Sequence, residues 1–358
     1  MSEVTGAIPA LAEHKTSEAF IKDNIVPIIT PKTKSGEVDV RGIENLLSFH
    51  ANSLGTRALF AVGGLGRFHE LTDRQRIQAA EAFLASNKKL GSPFLVFLGA
   101  TSETPESTLS NLEKFASLGA DVVFFAPLFF LAPDEISDFV KKARISLGPK
   151  IPLLVYNNPA FSKGKVKNID PIILRDCSDC ISAIKDSSCD DGLFGKYASM
   201  DEVVIYTGNE PTLVEAVKKR GSRGCVGGIG NVSGTAAELA RELAKASVDD
   251  DDDGEEDEMK VAELTTKFDR EIATLKKVLG DHPGVDSGDM MSAIYHFCLG
   301  HAGILEPQED LMKYLTERDK AYLRESILVP ERKRVKRERQ AGVENGGGNY
   351  KRYASATE

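Results

Sequence analysis

The sequence predicts a (β/α)₈ barrel with a C-terminal helical extension, and three observations carry that expectation. Eight short apolar, β-rich segments recur through residues 24 to 229, each followed by a segment of helical spacing. The segments are apolar almost throughout rather than alternating, which suits parallel strands buried on both faces. The turn after the first, Pro31-Lys32-Thr33-Lys34-Ser35-Gly36, lacks the glycine fingerprint of a dinucleotide-binding open sheet.

The elements follow in order. Asn24 to Thr30 reads as the first strand, and Val40 to Leu54 has the spacing of a helix through Ile43, Leu46, Leu47 and Leu54. Ala58 to Val62 is the second strand, closed by Gly63-Gly64-Leu65-Gly66. Thr72 caps a helix from Asp73 to about Asn87. Pro93 to Gly99 is the third strand, and Pro105 in its first turn opens the next helix, to Leu118. Asp121 to Ala126 is the fourth strand, before a helix from Pro133 to about Leu147. Ile151 to Tyr156 is the fifth, with a short helix from Ile169 to Arg175. Ile181 to Lys185 is the sixth, with a helix from Asp190 to Ser199. Val203 to Thr207 is the seventh, before a helix from Pro211 to Lys219 that stops at Gly221. Gly224 to Ile229 is the eighth, before a helix from Ser233 to Ala246.

The rest of the chain divides by composition. Residues 1–22 form an N-terminal segment expected to be flexible, and 23–247 the barrel. Residues 248–258 are an acidic insert read as an exposed loop, because Asp249 to Glu258 is almost purely acidic and repels itself. Residues 259–328 form the helical extension, with patterns over Met259 to Leu279, Met290 to Leu299 and Gln308 to about Leu328. Residues 329–358 are a basic tail expected to be disordered. Its Arg332-Lys333-Arg334-Val335-Lys336-Arg337 run leaves open a nuclear-import or nucleic-acid patch.

A formal net charge of -9 speaks against nucleic acid as a partner of the main body. No run of 18 apolar residues suggests a membrane-spanning helix. The acidic, unpatterned N-terminus is read as neither secretory signal nor transit peptide. Cys177, Cys180, Cys189, Cys225 and Cys298 are odd in number and read as free thiols in a reducing, cytoplasmic compartment. Cys177 and Cys180 have metal-ligand spacing, but no second Cys or His pair lies nearby in sequence, so no metal and no cofactor are assigned.

Barrel chemistry sits at the C-terminal ends of the strands. Lys185 lies inside the apolar run Ile181-Ser182-Ala183-Ile184-Lys185-Asp186. A lysine in a buried strand is either a nucleophilic amine for a carbonyl or a structural partner of Asp186, and the strand alone leaves both open. Tyr156 ends strand five, where it suits a proton shuttle or a core residue. The glycine turn offers the Gly64 and Leu65 N–H groups to a carboxylate. Gly208 ends strand seven and Gly228-Ile229 follow strand eight, completing the candidate substrate-binding set.

These motifs, in this order, resemble the dihydrodipicolinate synthase / N-acetylneuraminate lyase family of class I aldolases. The marks are Tyr156-Asn157-x-Pro159, Ile184-Lys185-Asp186-Ser187-Ser188, Gly208-Asn209-Glu210 and Gly63-x-x-Gly66, and the likeness spans roughly residues 24 to 245. The resemblance implies a Schiff base on Lys185, Tyr156 as proton shuttle, and a homo-oligomer, dimer or tetramer. It implies reversible C–C cleavage acting on pyruvate or a 2-oxo-3-deoxy sugar acid, or dehydration through the same imine. Several positions depart from the pattern. Gly64 and Leu65 replace two hydroxyl residues, and Arg67 stands where Glu is common. Phe129 and Phe130 occupy the loop that supplies a cross-dimer tyrosine in the synthase branch, and Phe161 is nearest to its carboxylate-binding arginine. These departures keep open a degenerate barrel that binds a 2-oxo acid without turning it over.

Overall fold

Strands apolar on both faces need cover on both sides, and in the computed structural model they have it. The structure describes residues 20–162, 168–200, 203–246, 254–306 and 308–327. The strands are β1 (Asn24–Ile25), β2 (Ala58–Ala61), β3 (Leu95–Gly99), β4 (Val122–Phe125), β5 (Leu153–Asn157), β6 (Ala183–Asp186), β7 (Val204–Thr207) and β8 (Cys225–Val226). They run parallel in the order β1-β8-β7-β6-β5-β4-β3-β2. The ends of that order meet through Val26: its N–H donates to Ala58 O at 3.0 Å and its carbonyl accepts the Phe60 N–H at 2.7 Å. The sheet is thus a nearly closed eight-stranded barrel.

Alternation along each strand separates two cores. Ile25, Phe60, Phe97, Phe124, Leu154, Tyr156 and Tyr206 pack inside the barrel. Leu59, Val96, Val123, Val155 and Ile184 face the helices. Those helices are α1 (Val40–Phe49), α2 (Asp73–Lys89), α3 (Pro105–Ser117), α4 (Ile136–Leu147), α5 (Pro171–Arg175), α6 (Asp191–Ala198), α7 (Leu213–Arg220) and α8 (Thr235–Lys245). Their starts are encoded locally. Thr72 and Gln75 form a capping box on α2, Thr104 caps α3 ahead of Pro105, and Asp190 caps α6 through the Leu193 N–H. Gly221 ends α7 in the left-handed region at φ 73°.

The extension comprises α9 (Gly254–Gly280), α10 (Ser287–His301), α11 (Glu309–Met312) and α12 (Glu317–Ser326). Its central helix, α10, buries Met290 and every residue from Ser292 to Leu299. It packs against α9, α11 and α12 as well as against the barrel's loops.

Several boundaries differ from the sequence expectation. Phe20 is not part of a flexible segment: it is 1% exposed, its ring meets Phe97 edge-to-face inside the barrel, and its carbonyl accepts from Arg223. Strand one pairs regularly only at Asn24 and Ile25, because beyond them the chain crosses from β8 to β2. Strand eight ends at Val226, where a 3₁₀ turn over Gly228–Asn231 begins. The acidic run is not loop to its end, since α9 already begins at Gly254. The last helical pattern is two helices, because Thr316 caps α12 afresh with Asp319. The expectations for residues 1–19, 247–253 and 328–358 lie outside the described residues. Among the described residues no helix is long and apolar enough to cross a membrane.

Candidate active site

Period-two alternation on β6 turns Ala183 and Lys185 into the barrel and Ile184 and Asp186 out of it. Lys185 is 5% exposed. Its Nζ lies 3.8 Å from the ring centroid of Tyr156 and 4.6 Å from that of Phe60. Asp186, on the opposite face, is taken by Asn157 Nδ2 at 2.7 Å and by Ser188 Oγ at 2.8 Å. This excludes the structural reading of Lys185 as the partner of Asp186. Among the described residues the amine has no hydrogen bond and no ion pair, and aromatic faces are what it touches. Such faces stabilise an ammonium, and they stabilise a protonated imine at the same place for the same reason.

Tyr156 pairs in register with Lys185 across β5 and β6. Its hydroxyl accepts from Asn158 Nδ2 at 2.9 Å and from Ser187 Oγ at 3.4 Å, which leaves its own proton to give. Two consecutive motifs, Tyr156-Asn157-Asn158 and Lys185-Asp186-Ser187, therefore meet side by side, because the adjacent strands are in register.

The glycine turn begins and ends in the left-handed region, with Val62 at φ 56° and Arg67 at φ 54°. A β-branched residue at such an angle is a true outlier, held by its surroundings. One of these is Gly99, where an added Cβ would lie 2.3 Å from the Val62 carbonyl oxygen. The Arg67 N–H donates to Gly64 O at 2.9 Å and closes the turn, while the Gly64 and Leu65 N–H groups donate to no protein acceptor among the described residues. An added Cβ on Gly64 would be 3.0 Å from the ring of Phe161, which meets Tyr156 edge-to-face at 5.6 Å. The turn, Tyr156 and Lys185 thus surround one aromatic wall.

Gly208 is a glycine for a steric reason. An added Cβ would lie 2.0 Å from Ser187 Oγ and 3.1 Å from Lys185 Cε. Gly208→Ala should displace the amine and cut kcat/KM by roughly 10²-fold, the scale of a misplaced reacting group. Steady-state kinetics beside a melting curve separate that loss from unfolding.

Gly228 and Ile229 are placed differently from Gly64 and Leu65, because Glu210 already occupies their amides. Glu210 Oε1 accepts from Ile229 N–H at 2.8 Å, and the Gly228 N–H also reaches the carboxyl. Burial pushes this carboxyl from its ordinary 4.5 up to about 7, against the pull of both N–H groups and of Lys185. The folded state therefore holds a proton that the unfolded chain gives up near pH 4.5, so stability falls as pH rises from 4.5 to about 7. Glu210→Gln should flatten that fall. Urea midpoints at about pH 5 and about pH 8 measure it.

Sequence reasoning missed Glu210's role, and it missed Tyr295, whose buried hydroxyl has no hydrogen-bond partner among the described residues and lies 2.8 Å from where a Cβ on Gly228 would stand. It also missed the pairing of Arg67 with Asp289 on α10. The glycine-glutamate motif Gly208-Asn209-Glu210 was a signal for the first. Nothing in the sequence signalled the contacts with α10. The Cys177 and Cys180 thiols are buried, and burial pushes them up to about 12 and about 11, which makes them inert at neutral pH.

A parallel barrel with an unpaired lysine among aromatic rings at its C-terminal mouth is of the class I aldolase type. The comparisons agree. The model of the dihydrodipicolinate synthetase family matches residues 21–289, and the chain belongs to that family. It is 27% identical over 229 residues to a 4-hydroxy-tetrahydrodipicolinate synthase of Pseudomonas putida (strain W619), covering 63% of this chain and 74% of that one. It is 26% identical over 146 residues to the human N-acetylneuraminate lyase, covering 40% of this chain and 45% of the lyase. The crystal structure of dihydrodipicolinate synthase from Aquifex aeolicus shares the fold at a TM-score of 0.69 with 18% identity, over 85% of this chain and 96% of that one.

Proposed function

We propose that this protein is a Schiff-base lyase that cleaves or forms a C–C bond next to a 2-oxo acid, through an imine on Lys185. The observation that carries this reading is the Lys185 amine, buried without a polar partner among the described residues and facing the Tyr156 ring at 3.8 Å. The amine condenses with the C2 carbonyl and releases water. The C3–C4 bond then breaks, its electron pair enters the iminium, and the C4 hydroxyl gives its proton to the Tyr156 oxygen as the phenol passes its own proton on to the Ser187 hydroxyl. The resulting enamine takes a proton at C3, and water frees pyruvate from Lys185. The Gly64 and Leu65 amides hold the carboxylate throughout, with Gly208 giving the lysine stem room to move.

The larger substrate in this reading is pyruvate joined to an aldehyde, or a 2-oxo-3-deoxy sugar acid. A second carboxylate is disfavoured, since Phe161, Phe68 and Phe129 form an edge-to-face cluster where a cation would be needed. Loss of the neighbouring hydroxyl in place of C–C cleavage is the alternative outcome of the same imine. Against a degenerate barrel stands Ser187, whose hydroxyl on Tyr156 supplies the relay that Gly64 and Leu65 lack. The reading includes a cytoplasmic homo-oligomer, dimer or tetramer. Its test is borohydride reduction in the presence of pyruvate followed by peptide mapping. A reduced pyruvyl adduct on the Lys185 peptide is expected, and folded protein without that adduct refutes the reading.

A further inference from the structure

Arg67 is the hub of a charge chain that the imine chemistry itself does not use. Its guanidinium grips Glu70 with two nitrogens, Nε donating to Oε2 at 2.7 Å and Nη2 to Oε1. Its third nitrogen, Nη1, donates to Asp289 Oδ1 on α10. Lys32 Nζ extends the chain by donating to Glu70 Oε2 at 3.1 Å, and Tyr314 extends it at the other end by donating to Asp289 Oδ2 at 3.3 Å. Two cations and two carboxylates cancel. The Arg67 side chain is 10% exposed, so solvent and salt weaken its pairs less than surface pairs, and removing one partner leaves a poorly solvated charge.

A second tie joins the same two elements. Ser292 Oγ, one helical turn beyond Asp289, donates to Leu65 O at 3.3 Å. Helix α10 therefore holds both the side chain that follows the glycine turn and a carbonyl within it. Arg67 also closes the turn with its own N–H, in a left-handed conformation that arginine does not favour. The Gly64 and Leu65 amides are among those in the turn that this arrangement leaves without an acceptor among the described residues.

We propose that Arg67 is a positioning residue for the carboxylate-binding turn and acts through Asp289, so that α10 of the helical extension sets the aim of the Gly64 and Leu65 amides. The inference rests on the reading that this turn receives the substrate carboxylate. Its consequence is selective: loosening the tether weakens recognition of the carboxylate and spares attack on the ketone.

The test compares pyruvate with hydroxyacetone, a ketone of similar size without a carboxylate, in borohydride trapping on Lys185. Arg67→Ala and Asp289→Asn should raise the half-saturating pyruvate concentration roughly tenfold and leave hydroxyacetone within about twofold, as expected for loss of one oriented binding contact. Arg67→Lys, which keeps the charge without the fork, should fall between. Equal weakening of both ketones, or no change in either while the melting temperature drops, would mean that Arg67 is structural only and overturn the inference. If Asp289→Asn does not fold, Tyr314→Phe removes only the outer hydrogen bond. It should shift the pyruvate-to-hydroxyacetone ratio in the same direction by a smaller factor, and an unchanged ratio there overturns the inference too. Wild-type protein that forms no pyruvate adduct refutes the imine reading and this inference together. Adduct formation with an unaltered ratio in the variants refutes this inference alone.

Discussion

Replacing Lys185 with alanine should lower turnover of any 2-oxo acid substrate by roughly 10⁴-fold or more, since loss of a covalent nucleophile removes the step on which the others depend. Borohydride trapping of pyruvate should vanish in the same variant. The protein itself should survive. The methylene stem that packs beside Phe60 and Tyr156 is lost, but so is an amine buried without hydrogen bond or ion pair among the described residues. These terms oppose each other, and the net change in stability should stay within about 2 kcal/mol. Kinetics, mass mapping and urea denaturation of one preparation measure all three. Undiminished turnover by Lys185→Ala would remove the imine mechanism.

Tyr156→Phe should separate the two halves of the reaction. The ring stays, and with it the aromatic face 3.8 Å from Nζ. The hydroxyl goes, and with it the hydrogen bond to Ser187 through which the proposed proton transfer runs. Removing a positioned acid–base group costs roughly 10²- to 10⁴-fold in kcat. Pyruvate should still be trapped on Lys185, because condensation leaves the C–C bond untouched. The lost hydrogen bond from Asn158 is half-buried and should cost about 1 kcal/mol of stability. A kcat within a few-fold of wild type would assign proton transfer elsewhere, with Glu210 the next carboxyl to examine.

Lys185 and Tyr156 were legible because each is read from its own strand. A lysine inside an apolar run and a tyrosine at the end of another need only the two-residue period and a parallel sheet to face the same interior. The elements around them were legible for a similar reason, since Thr72, Thr104, Asp190 and Gly221 each act on the few residues beside them. The strand ends were less so. Whether the stretch after Ile25 pairs, crosses over or coils depends on where β8 and β2 stand, and that is not a local property.

By itself the sequence determined the order of strands and helices and the barrel class, and it put the candidate lysine, tyrosine and glycine turn at strand ends, because each of these rests on periodicity or on residues adjacent in the chain. It left open whether Lys185 pairs with Asp186, and only packing decided that by turning the two side chains to opposite faces of β6. Tertiary structure alone also gave the Gly228 and Ile229 amides to Glu210, set Tyr295 against Gly228, and joined Arg67 to Asp289 across 222 residues of chain. The physical reason is that buried charges and amides must be satisfied by whatever the closed barrel brings within hydrogen-bond reach, and that set of neighbours does not exist until α10 has docked.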